Sequence, residues 1–348
     1  MTQRLLLIFG GRSSEHEVLI RSATEVLAAI ERDRWEPVLL GVARDGTMRT
    51  GSADRDLAEI VRSGDEVVDL RALKPDVVFP LLHGHFGEDG TFQGLLEILD
   101  VPYVGCGVFA SAVCMHKGAF KQLLASNGIP VVPGFDVHAR VLQDPERRAS
   151  LVQSIAQQLG FPIFVKPSNQ GSSVGIGKAT DIASLEAALD EAARYDDQLV
   201  VEQGVDAREI ELAVLGNGGP ETRVSQPGEI ALPQGTWYDY DNKYQNDTAS
   251  LHIPADVPPG AITQLQEMAL QAFRLANCTG LARIDFFVER GTGRPFLNEV
   301  NTMPGFTSIS MYPKLMEHSG VAYGALITRL CELGLERHAH RARLTNQR

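Results

Sequence analysis

The sequence predicts an α/β protein of three units, a parallel-sheet unit followed by two smaller α+β units, and three observations lead there. Strand-like apolar runs alternate with helix-like runs from residue 1 to about 125, the order that builds a parallel sheet with crossovers. A second helix–strand set occupies about 126–215. The third stretch, 216–348, combines a long polar segment, a helix, an apolar hairpin and a helical tail.

The elements follow in order. "RLLLIFGG" reads as a strand ending in a double glycine, and "SSEHEVLIRSATEVLAAIERD" as a helix, with Ser14 and Glu17 spaced as a capping box. "WEPVLLGVA", "PDVVFPLLHG" and "VPYVG" read as strands, and "GTFQGLLEILD" as a helix between the last two. "KGAFKQLLASNG" is a helix stopped at Gly128, with "IPVVPGF" leading into the second unit. That unit has helices in "SLVQSIAQQLG" and "SLEAALDEAARY" and strands in "FPIFVKP", "GIGKA" and "QLVVEQ". Residues 216–260 show no period and read as one long loop, whose length points to function and whose aromatics argue against disorder.

Composition narrows the partners. With 44% hydrophobic and 22% charged residues the chain is an ordinary globular one, long enough for several cores. A net charge of −12 without a basic run argues against nucleic acid or an anionic membrane. "LLLIF" is too short for a signal peptide or a membrane span, so a cytoplasmic protein is expected. Cys106, Cys114, Cys278 and Cys331 lack paired spacing, which favours buried free thiols over zinc or disulfides.

Chemistry concentrates in "RIDFFVERGTGRPFLNEVN". A hairpin symmetric about Thr292 sets Asp285 directly opposite Glu299, with Arg283 beside the first acid and Asn301 beside the second. Like charges so placed repel by roughly 3 kcal/mol at ~5 Å and an effective dielectric of ~20. A solvated sheet face with an arginine–carboxylate pair is the plain reading. Two carboxylates and an amide without thiolate or imidazole are also what magnesium takes, with bound phosphate completing its shell. A nucleotide site elsewhere is then required.

Candidates for it are present. "VKPSNQGSSVGIGK" is not a Walker loop, yet it offers Lys166 at a strand end and small residues whose N–H groups can close over an anion. Glu202 and Glu209 lie in nearby strands, and Lys117 opens a helix; each alone reads as a surface group. Glu15 stands in a helix's first turn, where the dipole favours an acid. His83 and His85 sit in the glycine-rich loop after a strand, where a loop hydrogen bond is the simpler role than metal ligation.

Taken together, "GGRSSEHEV", "HGHFGEDGTFQG", "FVKPSNQGSSVG", "YDYDNKY", "ARIDFF" and "NEVNTMPGFTSISMYP", in this order, resemble the D-alanine–D-alanine ligases of bacterial cell-wall synthesis, members of the ATP-grasp superfamily. The resemblance runs from residue 4 to about 335. It implies a three-domain ATP-grasp architecture whose last two α+β domains sandwich ATP, and a cytoplasmic homodimer that joins two molecules of D-alanine. Lys117 and Lys166 then contact the phosphates, and Glu202 and Glu209 belong to the adenine and ribose pocket. Two magnesium or manganese ions fall to Asp285, Glu299 and Asn301. Arg283 and the Gly305 N–H face the reacting carbon. A lid at about 232–253 carries Lys243 toward the γ-phosphate and Tyr244 toward Ser172 and Glu15. Glu15 receives the first ammonium, and Ser310 with the Met311 backbone the second carboxylate.

Two positions depart from the pattern: Leu19 where serine is usual, and His116 where an acid is usual. Tyr244 separates the chain from depsipeptide ligases that use D-lactate, which resemble one another in carrying histidine there. An acceptor such as D-serine would keep the magnesium hairpin, whereas a non-catalytic ATP-binding regulator is expected to have lost Arg283 or a metal ligand.

Overall fold

The computed structural model describes residues 2–13, 15–231 and 250–344. The first sheet is built by β1 (Gln3–Gly10), β2 (Trp35–Val42), β3 (Met48–Gly51), β4 (Asp65–Glu66) and β5 (Val77–Pro80), in the order β4-β3-β2-β1-β5. β1 runs parallel to β2 and β5, as the alternation implies, but β3 and β4 add an antiparallel edge the sequence did not reveal. Two to four residues are too few for a readable period. "VPYVG" adds only one parallel bridge, Val78 to Tyr103, because Gly105 turns at φ +97° against Gly280.

Helix α1 (His16–Ala29) buries Leu19 completely, so the first departure from the family pattern is a core residue. Ser14, and with it the expected capping box, lies outside the described residues; Glu15 is the N-cap without a side-chain cap bond, and Glu17 pairs with Arg44. Beyond α2 (Leu57–Ser63), α3 (Thr91–Ile98) and α4 (Val108–Met115) comes α5 (Lys117–Ser126). The His116 Nδ1 accepts the Ala119 N–H, which makes the second departure a working N-cap.

The central sheet, order β6-β9-β7-β8, is antiparallel and consists of β6 (Gly134–His138), β7 (Ile163–Pro167), β8 (Gly177–Ala179) and β9 (Gln198–Gln203). It packs with α6 (Pro145–Leu159) and α7 (Ile182–Ala192) on its own core of Ile155, Ile163, Val165, Leu185 and Leu199.

The third sheet runs β13-β12-β10-β14-β15, with β11 beside β10. Its strands are β10 (Ala207–Gly216), β11 (Arg223–Val224), β12 (Gly228–Ala231), β13 (Ser250–His252), β14 (Gly280–Glu289) and β15 (Pro295–Asn301). β10 therefore pairs along its whole length with β14, although the expected boundary at 215/216 groups it with the central unit. The stretch 216–260 is also less of a loop than expected, since β11, β12 and β13 fall in it. α8 (Pro259–Leu275) covers one face of this sheet. α9 (Met311–His318) and α10 (Tyr323–Ala342) return to the first sheet, where Trp35 donates to Thr328 inside a shared core.

Candidate active site

Between the central and third sheets lies a cavity of about 1010 Å³. Lys117, Lys166, Ser172, Glu202, Glu209, Arg283, Asp285 and Glu299 all line it, so eight sequence-predicted residues converge from five separate stretches of chain.

The hairpin supplies the acid side. Asp285 faces Glu299 and Arg283 faces Asn301, the register expected from symmetry about Thr292. Phe286 then pairs with Leu297, which leaves Asn298 as a bulge. The bulge lets Asn298 and Glu299 both reach the cavity while Leu297 stays in the core.

The next strand lengthens the acidic row, because Glu211 of β10 pairs with Asp285. Glu211, Asp285 and Glu299 thus sit side by side across three strands.

The facing acids are not simply held apart by repulsion, as the sequence alone suggested. Each has a cation. Arg283 donates to both oxygens of Asp285, at 2.8 and 2.7 Å, and its Nε lies 2.9 Å from Glu211. The Lys117 Nζ is 3.8 Å from Glu299. Burial opposes the Arg283 charge, but Asp285 and Glu211 raise its pKa well above the ordinary guanidinium value. Asn301 donates to Asp285 at 2.9 Å, although it is not itself part of the cavity lining. The oxygen donors fit a hard cation that shares its shell with phosphate, since two carboxylates and an amide are too few for an all-protein cage. Among the described residues no group of three or more His, Cys, Asp or Glu is placed to hold a metal ion by itself.

The basic side comes from β7, β9 and α5. Lys166 is 2.6 Å from Glu202, and Lys121 contacts the other oxygen of the same carboxylate. Burial would push the Glu202 carboxyl up, but the Lys121 and Lys166 charges hold it down to about 2. Lys117 donates to the Gln170 carbonyl, and Ser172 and Ser173 follow with φ of +51° and +59°. Two successive non-glycine residues in this region mark a strained, anion-sized turn.

Glu15 and Ser172 meet across the cavity mouth at 2.5 Å, and His83 reaches the other Glu15 oxygen at 2.8 Å. His83 thus makes a loop hydrogen bond through Nδ1, while its buried Nε2 has no hydrogen-bond partner among the described residues. Burial disfavours its charge, yet Glu15 and Glu88 together raise its pKa above the ordinary value. Gly305 and Ser310 are outside the cavity lining, in the loop that leaves β15; a Cβ at Gly305 would come within 3.1 Å of the Ser310 hydroxyl. Ser310 is the N-cap residue of α9, and its hydroxyl accepts the Thr307 N–H at 3.1 Å. Lys243 and Tyr244 lie outside the described residues, as does most of the expected lid.

Sequence reasoning missed Lys121, Glu211 and Phe287, whose ring lies 5.8 Å from the Lys166 ammonium. The first two had a signal. Lys121 is four residues after Lys117 on one helix face, and Glu211 two after Glu209 on one strand face.

Two α+β sheets closing on a cavity with lysines at one end and a carboxylate row at the other define a nucleotide-using protein of the ATP-grasp type. The N-terminal family model "D-ala D-ala ligase N-terminus" matches residues 4–106, and "D-ala D-ala ligase C-terminus" matches 123–332. The chain belongs to the D-alanine–D-alanine ligase family. It is 43% identical to the D-alanine–D-alanine ligase of Heliobacterium modesticaldum over 100% of this chain and 99% of that one. With the Listeria monocytogenes serotype 4b enzyme it shares 45% identity over 97% of each. Among solved structures, the Coxiella burnetii D-alanine–D-alanine ligase superposes with a TM-score of 0.84 at 34% identity, covering 98% of this chain and 96% of that one. The VanG D-Ala:D-Ser ligase of Enterococcus faecalis gives 0.84 at 32%, covering 96% and 100%.

Proposed function

We propose that this protein is an ATP-dependent ligase that joins two D-alanines into D-alanyl-D-alanine for peptidoglycan precursors. The observation that carries the reading is the convergence of Lys117, Lys166, Arg283, Asp285 and Glu299 on one cavity in a chain that matches this family over nearly its whole extent. The carboxylate of the first D-alanine attacks the γ-phosphate, the bond to ADP breaks, and D-alanyl phosphate forms. The amine of the second D-alanine, once deprotonated, attacks that carbonyl, and inorganic phosphate leaves from the tetrahedral intermediate.

Positioning and charge neutralisation suffice for this, since no protein nucleophile takes part. Lys117 and Lys166 meet the phosphates. Glu202 and Glu209 line the base and ribose end, while Lys243 and Tyr244 come from the lid. Asp285, Glu299 and Asn301 would hold two magnesium or manganese ions, which when bound neutralise phosphate charge. Arg283, held by Asp285 and Glu211, would with the Gly305 N–H face the developing oxyanion. Glu15, oriented by His83 and Ser172, receives the first ammonium, and Ser310 at the α9 terminus receives the second carboxylate.

No helix among the described residues is long and apolar enough to cross a membrane. The reading extends to a cytoplasmic homodimer, supported by the family resemblance and checked by sedimentation. The test of function is phosphate release from ATP with D-alanine, D-serine, D-lactate and L-alanine offered singly and in pairs. D-Alanine alone should support turnover, and L-alanine should not. Release that needs D-serine or D-lactate alongside D-alanine would move the acceptor and spare the ligase class.

A further inference from the structure

Lys121 does not line the cavity, yet its ammonium is buried against a residue that does. It stands one turn after Lys117 on α5, 8% exposed, and contacts one oxygen of Glu202, while Lys166 takes the other. Glu202 itself is 2% exposed, so water screens neither contact. Two positive charges therefore share one negative charge in a dry site.

The alternative arrangement is easy to state. With Lys166 and Glu202 alone the pair would be neutral, and it would add no net charge toward an approaching polyphosphate. The added Lys121 leaves the three groups at +1, on the cavity side where Lys166 projects. It also holds Glu202 from behind, so Lys166 is anchored at a fixed distance from the glycine-rich turn. A buried cation on a carboxylate is expensive unless the partners are paired and satisfied, so its presence asks for a reason.

We propose that Lys121 is a positioning residue of the nucleotide site: by engaging Glu202 it orients Lys166 and keeps a net positive charge toward the ATP phosphates. The inference rests on the ATP reading above and deepens it. It assigns Lys121 no contact with the nucleotide.

The test is calorimetric binding of ATP with magnesium to the full chain, without D-alanine, together with steady-state kinetics. Lys121→Met should weaken ATP binding about tenfold or more. KM for ATP should rise in step, while kcat and KM for D-alanine stay within about twofold. Lys121→Arg should recover most of the loss, because it restores the charge at that oxygen. A lysine that only supports the fold would show lost thermal stability with ATP affinity unchanged in the folded fraction. Melting curves identify a Lys121→Met chain that fails to fold, in which case Lys121→Gln, which removes the charge and keeps a polar group, carries the test. Unchanged ATP affinity in the folded neutral variant, or a Lys121→Arg chain no tighter than it, overturns the proposal. A natural chain that binds no ATP overturns the ligase reading instead.

Discussion

At the scale of single residues, the site works by assigning each buried charge a partner that can be exchanged. Asp285 holds Arg283 at 2.7 and 2.8 Å, and Glu299 sits beside Lys117. The proposed ligase reading gives Glu299 a role in holding the metal ions, beyond its place in the sheet. Glu299→Gln should lower D-alanine-dependent phosphate release by about a hundredfold or more, with the fold intact by circular dichroism. Normal turnover in that variant would make the hairpin structural.

Two other residues set opposite pH dependences. The Glu202 carboxyl lies at about 2, below its ordinary 4.5, so its pairing contributes fully above about pH 4.5 and is lost as pH falls toward 2. His83 is shifted the other way. Its pairing with Glu15 is complete below the ordinary 6.5 and is lost as pH rises through the higher folded value. Thermal melts across the acid range should therefore show Glu202→Gln losing stability with falling pH less steeply than the natural chain. Parallel slopes would contradict the buried triad.

At the scale of elements, the hairpin was legible because its chemistry is local. Spacing about Thr292 placed Asp285 opposite Glu299 and Arg283 opposite Asn301, and both pairings occur. The Asn298 bulge was not legible, since a one-residue slip depends on which face the core accepts. Lys121 and Glu211 share a face with predicted residues, yet only the tertiary fold shows that the face is the cavity wall. Glu15, whose place in the helix's first turn suggested only a dipole role, bonds to Ser172 and His83 across the molecule. α5 shows the converse, a helix whose start survives an unusual cap. His116 accepts the Ala119 N–H through Nδ1 and also contacts the Ser168 hydroxyl at 3.0 Å. Aspartate is the better N-cap and suits the helix dipole, so His116→Asp should stabilise by about 0.5–1 kcal/mol. Urea unfolding midpoints check this, and a lower midpoint would show that the Ser168 contact matters more.

At the scale of the whole molecule, three sheets make unequal partners. The first sheet and the last helices share one core, in which Leu5, Leu7 and Phe9 join Leu326, Leu330 and Leu333. Through Leu215, Leu281 and Met303 that core also reaches the third sheet. The central sheet has a core of its own and closes the cavity from the other side. The alternation of elements made the first unit readable. Where β10 belongs was not readable, because a strand's partner is fixed by packing far along the chain. Arg337 shows how the parts are tied: it lies over the Tyr103 ring at 4.0 Å and donates to Gly105 and Thr279, which bolts the last helix to both neighbours. The proposed ligation runs through an acylphosphate, which must be kept from water until the amine attacks. The direct measurement is turnover with D-alanine whose carboxylate carries heavy oxygen. One labelled oxygen should appear in inorganic phosphate for each D-alanyl-D-alanine formed, whereas unlabelled phosphate would contradict carboxylate attack on the γ-phosphate and with it the ligase mechanism.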